Sequence, residues 1–228
     1  MPDFSLLDYI ALLIFLIVVF GYGWLIRYGP LKTKNIASGV QQARARWIKT
    51  MACRENRIVD MQILTNLSQG NAFFASTAIV IAGVLATTLG KADEIASMLN
   101  NLPIPAQSTS DMIKIKMIFL MIIFLTAFFK FAWAFRITHY TSIMIGATPL
   151  KDNIDTPESK KHINRTIELA GLAGLHSNAG LHTYYYGIAA SGWFLNPLVF
   201  IIGTLSVLAI LYRREYKSAS HAILIEDD

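Results

Sequence analysis

Four separated apolar stretches, residues 6–26, 71–90, 117–135 and 197–212, constrain the fold of this chain more than any other feature. A helix rises ~1.5 Å per residue, so about 20 apolar residues match the ~30 Å hydrocarbon core of a bilayer. Across all four stretches only Asp8 and Lys130 carry charge. With 54% apolar and 15% charged residues, the chain holds too much hydrocarbon for a soluble domain and reads as an all-α integral membrane bundle. The first stretch reads as a retained span: Asp3 and Asp8 stand where a signal peptide carries Lys or Arg, and no small-residue cleavage site follows Trp24. A single cysteine, Cys53, rules out an intramolecular disulfide.

Cytoplasmic loops close to membrane ends are enriched in Lys and Arg, which orients the spans. The segment between the first two spans holds eight, Arg27, Lys32, Lys34, Arg44, Arg46, Lys49, Arg54 and Arg57, and is read as cytoplasmic. Residues 91–116 balance three cations with Asp93, Glu94 and Asp111, so they and the N-terminus are placed outside. Four spans would then leave Arg213, Arg214 and Lys217 outside as well. A fifth, polar span over residues 166–192 removes the conflict, with a tight turn at Trp193-Phe194-Leu195. Gly192 suits a helix C-cap, Asn196 an N-cap and Pro197 the first helical position, while Trp193 is expected at the outer headgroups. The competing arrangement is one long helix kinked at Pro197, with its first part on the membrane surface. The whole chain, residues 1–228, reads as one membrane domain.

Residues 40–69 lack proline and space Val40, Ala43, Trp47, Met51, Ile58, Ile63 and Leu67 at helical intervals. This predicts one cytoplasmic amphipathic helix, with Arg44, Arg46, Lys49, Arg54 and Arg57 on anionic lipid headgroups and Trp47 dipped among them. Packing on the protein's own loops and docking of a partner are the other uses open to it. Beyond the second span, residues 91–116 predict a short helix stopped at Leu102-Pro103-Ile104-Pro105, then a cap at Ser108-Thr109-Ser110-Asp111. Thr156-Pro157-Glu158 starts the fourth helix. Rows of small residues, Ala78, Ala82 and Ala86, then Ala170 with Gly174 and Gly187 with Ser191, permit close helix approach within the bundle or between copies.

Two polar features stand inside the apolar region. Lys130 is a cation within Phe128-Phe129-Lys130-Phe131, placed to snorkel to the cytoplasmic interface or to pair with Glu168. The run from Gly174 to Tyr186 contains His176, Asn178, His182 and Tyr185 and is too polar for lipid, so it must face the bundle interior, water or a ligand. His176 and His182 lie six apart, off the i, i+4 spacing of a helical metal pair, and no metal site is predicted. A haem held by His139 and one of these two remains a geometric alternative to no cofactor at all. His162 and His221 sit in polar segments. P-loop, dinucleotide, nucleophile-elbow and zinc-protease motifs are all missing, and the cations are spread along membrane flanks without a nucleic-acid module.

Several strings, Arg57-Ile58-Val59-Asp60, Asn71-Ala72-Phe73-Phe74-Ala75-Ser76-Thr77, Phe129-Lys130-Phe131-Ala132-Trp133 with Arg136, Tyr184-Tyr185-Tyr186-Gly187, Trp193-Phe194, Pro197 and Arg213-Arg214-Glu215-Tyr216, together resemble the membrane family catalogued as domain of unknown function 599. The resemblance runs from about Leu6 to Ser218 and implies a small multi-span protein of the bacterial inner membrane. It marks Lys130, Arg57, Asp60, Arg136 and Tyr184 to Tyr186 as family positions. Ser177 and His182 depart from it, since the family tends to an aromatic residue and to Arg there. The function expected is an accessory or assembly subunit, or an organiser of the membrane interface, with anionic lipids and a partner membrane protein or a second copy as contacts. Transport of a small solute through Lys130, Glu168, His176, Asn178 and His182 is the alternative.

Overall fold

The computed structural model describes residues 4–29, 35–101 and 108–225, and every regular element among them is helical. In chain order these are α1 (Leu6–Tyr28), α2 (Ile36–Ala52), α3 (Ile58–Thr88), α4 (Ala92–Asn100), α5 (Ser110–Gly146), α6 (Pro157–Ser191), α7 (Pro197–Lys217) and α8 (Ala219–Ile225). Short 3-10 turns follow α3, α5 and α6. Four segments, Leu6–Ile26, Ile58–Asn100, Ser110–Gly146 and Pro197–Ile225, contain helix long and apolar enough to cross a bilayer. Leu13, Ile17, Phe20, Val80, Ile122, Phe129 and Ile202 on their outer faces are exposed, as lipid contact requires.

Local chemistry sets the helix starts. Ser5 and Asp8 form a reciprocal capping box on α1. Thr109 accepts from the Met112 N–H at the start of α5, and Thr156 accepts from the Ser159 N–H ahead of Pro157 in α6. Gly192 ends α6, while the Asn196 side chain accepts the Leu198 N–H at 2.8 Å and Pro197 opens α7. The proposed stop at Leu102-Pro103-Ile104-Pro105 lies outside the described residues, as do Asp3, Lys32 and Lys34.

α5 is the axis of the bundle, with α3 along one flank and α6 along the other. α5 and α6 are antiparallel, because Phe131 fills the space over Gly180 and Phe124 the space over Gly187. α6 and α7 are antiparallel too: Gly192 faces Val199, Gly203 faces Ala189, and Asn178 reaches Glu215. This hairpin replaces the alternative of one long helix kinked at Pro197. The core that results is aromatic, with Phe74 stacked on Phe131 at 5.3 Å and Phe15, Phe119, Trp193 and Phe200 gathered at the far end. Ala78 and Ala82 are buried in it, whereas Ala86 is exposed.

Two expectations change. Residues 40–69 are not one helix: α2 ends at Ala52, and the Asn56 side chain accepts the Ile58 N–H at 2.9 Å, a local turn that starts α3 on a new axis. α2 then lies against α6, where Gly171 and Gly174 leave room for Gln41 and Arg44, and Gly39 meets Leu224 of α8. Trp193 is buried instead of resting among headgroups, because its ring packs between Phe4 and Phe200.

The α5–α6 seam yields a direct check. A methyl group at Gly180 would stand 2.8 Å from the fully buried Phe131 ring, which has nowhere to move, whereas Gly83 on α3 has no neighbour within 4 Å. Gly180→Ala should cost ~1–3 kcal/mol by overpacking and lower the thermal unfolding midpoint in detergent. Gly83→Ala should leave that midpoint unchanged or raise it, since it removes backbone entropy at no steric cost.

Candidate functional site

The polar run on α6 is divided among three neighbours. Lys130 of α5 donates from Nζ to Thr183 Oγ1 at 2.7 Å, and the Thr183 hydroxyl donates onward to the Ala179 carbonyl. Asn178 donates to Glu215 Oε1 at 3.4 Å, and His182 Nε2 lies 3.6 Å from the same oxygen. Tyr22 of α1 covers the His182 ring at 5.9 Å between centroids. Tyr185 accepts from Arg214 at 3.3 Å, and His176 packs edge-on against Trp133 at 6.4 Å. His139 is exposed, with its ring on Phe135 of its own helix.

The expected pair between Lys130 and Glu168 does not form, since Lys130 meets Thr183 and Glu168 is exposed. The antiparallel register explains the difference. Phe131 over Gly180 places Lys130 beside residues 181–183, about 15 residues or ~22 Å along α6 from Glu168. The structure therefore joins Asn178 and His182 through Glu215, a residue with no mark of a site in the sequence, and leaves Lys130, His176 and Tyr185 in separate contacts and Glu168 exposed.

A second polar knot ties α2 to α3. Asp60, fully buried, accepts from the Trp47 indole N–H at 2.7 Å and from Arg54 at 2.6 Å on the same Oδ1. Arg57 donates to the carbonyl oxygens of Thr148 and Pro149 at 2.6 and 2.7 Å, which fastens the start of α3 to the end of α5. Of the six residues expected on lipid headgroups, Arg46, Lys49 and Arg54 are exposed, Arg54 while also paired with Asp60. Trp47, Arg54 and Arg57 are spent on these interhelical bonds, and Arg44 points inward over Gly174. The apolar spacing that suggested a lipid-facing stripe marks the face α2 presents to its own bundle.

The far end holds a third knot, which the sequence did not disclose. Asp8 and Lys116, each 4% exposed, lie 4.0 Å apart. Trp193 donates its indole N–H to Asp8 Oδ1 at 2.7 Å, while Lys116 donates to the Trp193 carbonyl at 2.9 Å. One buried ion pair thus joins α1, α5 and the turn between α6 and α7. Asp8 looked like a charge at a span end, and only the folded register brings Lys116 and Trp193 to it.

Apolar helices of spanning length, held together by small networks of interhelical polar bonds, define a helical membrane-protein bundle. The chain belongs to the family described as "Protein of unknown function, DUF599", whose model matches residues 10–220. No curated protein and no solved structure matches the chain.

Because Asp8 and Lys116 are both buried, removing one leaves the other uncompensated in low dielectric. Asp8→Ala should cost ~3–5 kcal/mol, and adding Lys116→Met should recover part of that loss. Glu168→Gln should be neutral. Thermal unfolding of the purified variants in one detergent checks all three, and an Asp8→Ala/Lys116→Met pair no better than Asp8→Ala would reject the coupling.

Proposed function

We propose that this chain is a five-span inner-membrane protein acting as an accessory or assembly subunit through its cytoplasmic face. The topology puts the N-terminus outside and α2, α8 and the C-terminus inside. Sixteen of the twenty Lys and Arg then face the cytoplasm. A fifth span is supported by α6 running antiparallel to both α5 and α7, with its polar groups paired inside the bundle.

The observation that carries the accessory role is an exposed apolar tip, which the proposed topology puts in water. α3, α5 and α6 contain 31, 37 and 35 residues. They therefore exceed the ~30 Å bilayer core by ~15–25 Å, and the excess lies at the α2 end in this topology. Arg57 holds the start of α3 against residues 148 and 149, so Ile58 (73% exposed), Val59 (67%) and Leu150 (73%) stand on one tip. Such a cluster in water marks a protein contact. Solute transport has less behind it: the residues it would use are distributed over separate contacts, and the two ends of the bundle are knotted by Asp60 and by Asp8.

Purification of the tagged full chain from native membranes in mild detergent should recover a second membrane protein at fixed stoichiometry. Ile58→Glu with Leu150→Glu should release that protein while leaving the unfolding midpoint of this chain unchanged. A monodisperse chain alone, an assembly of identical copies, or a partner retained by the double variant would each reject the role.

A further inference from the structure

Between α2, α3, α5 and α6 lies a cavity of about 50 Å³ lined by Arg44, Asn71, Thr138, Thr141, Gly174 and Ser177. The Arg44 guanidinium is turned into it over Gly174, where any Cβ would collide with it. Among the described residues Arg44 has neither a hydrogen-bond nor an ion-pair partner, and no carboxylate lines the cavity. Burial lowers its pKa from the ordinary arginine value with nothing nearby to offset the cost. A guanidinium stays charged even so, and a partly buried charge without a counter-charge costs the fold some stability.

The other donors are also free. Asn71 is 6% exposed and has no side-chain hydrogen bond among the described residues, although it lines the same cavity. The Ser177 hydroxyl is likewise unbonded among them. Thr138 and Thr141 commit their protons to the carbonyls of Ala134 and Ile137, so they offer only lone pairs. The cavity therefore presents a planar five-donor fork, an amide N–H₂ and a hydroxyl converging from three helices, with no negative group among them.

We infer that this cavity is a binding site for a single phosphate group, carried either by an anionic phospholipid headgroup or by a small soluble phosphate. The volume admits roughly three to four water-sized positions, enough for one oxyanion and too little for a whole metabolite. Thr138 and Thr141 lie just past the third apolar stretch, at headgroup depth in the topology above, and Leu67, half exposed, borders the cavity where an acyl chain would leave. The site stands independently of the accessory role, because it faces the bundle interior and not the tip at Ile58.

The test is thermal unfolding of the full chain in neutral detergent, titrated with sodium phosphate against sodium chloride at matched ionic strength, and separately with phosphatidylglycerol against a neutral diacylglycerol. A saturable rise in the midpoint is expected with phosphatidylglycerol, with phosphate, or with both. A response to phosphate assigns a soluble ligand, and a response to phosphatidylglycerol alone assigns a lipid. Arg44→Met and Asn71→Leu should each weaken the response by roughly tenfold or more. Without ligand, Arg44→Met should be as stable as the wild type or more so, because it removes an unpaired, partly buried charge; a purely structural arginine would give the opposite. No saturable shift with either probe, a shift that survives Arg44→Met, or a destabilised unliganded Arg44→Met would overturn the assignment.

Discussion

The close seam between α5 and α6 is the contact on which the rest of the bundle depends. α6 carries His176, Asn178, His182, Thr183 and three tyrosines beside helices whose outer faces are hydrocarbon, and polar groups left unpaired in such surroundings cost several kcal/mol apiece. Gly180 and Gly187 let Phe131 and Phe124 of α5 press against the α6 backbone. That proximity brings Lys130 to Thr183, and the return of α7 brings Glu215 to Asn178 and His182. The glycines permit the close approach of α5 and α6, and the Lys130–Thr183 bond adds a polar tie across the same seam.

Polar knots at each end fix the register of the helices along this seam. Asp8, Lys116 and Trp193 lock α1, α5 and the α6–α7 turn at one end. Asp60 with Trp47 and Arg54, and Arg57 with residues 148 and 149, lock α2, α3 and α5 at the other. The same fastening gives a fixed surface at the α2 end, and it isolates Arg44 as the one inward-pointing arginine of α2 without a bonded partner among the described residues.

Much of the architecture was legible from residue order. The apolar stretches located the long helices, and the signals at Gly192, Asn196 and Pro197 located a reversal in a region too polar to be found by hydropathy. Partnership was not legible. Lys130 and Glu168 matched in charge, yet the register separates them by about four helical turns, or ~22 Å. The stripe through Trp47 and Met51 was correctly apolar, but a helix face suited to lipid is equally suited to a neighbouring helix, and periodicity carries no label for which one covers it. Glu215 stands in the string Arg213-Arg214-Glu215-Tyr216 with nothing in the sequence to mark Asn178 and His182 as its partners, which the return of α7 supplies.

Sequence alone therefore determined the solvent, the helical class, the long apolar segments and the family, because hydrocarbon tolerates only long apolar helices and because caps act within one turn of chain. The tertiary structure decided which cations are paired, which aromatic rings are buried and where an arginine is left without a counter-charge. Those outcomes depend on helix register and rotation, and a shift of one residue along an axis turns a side chain by ~100° away from its partner.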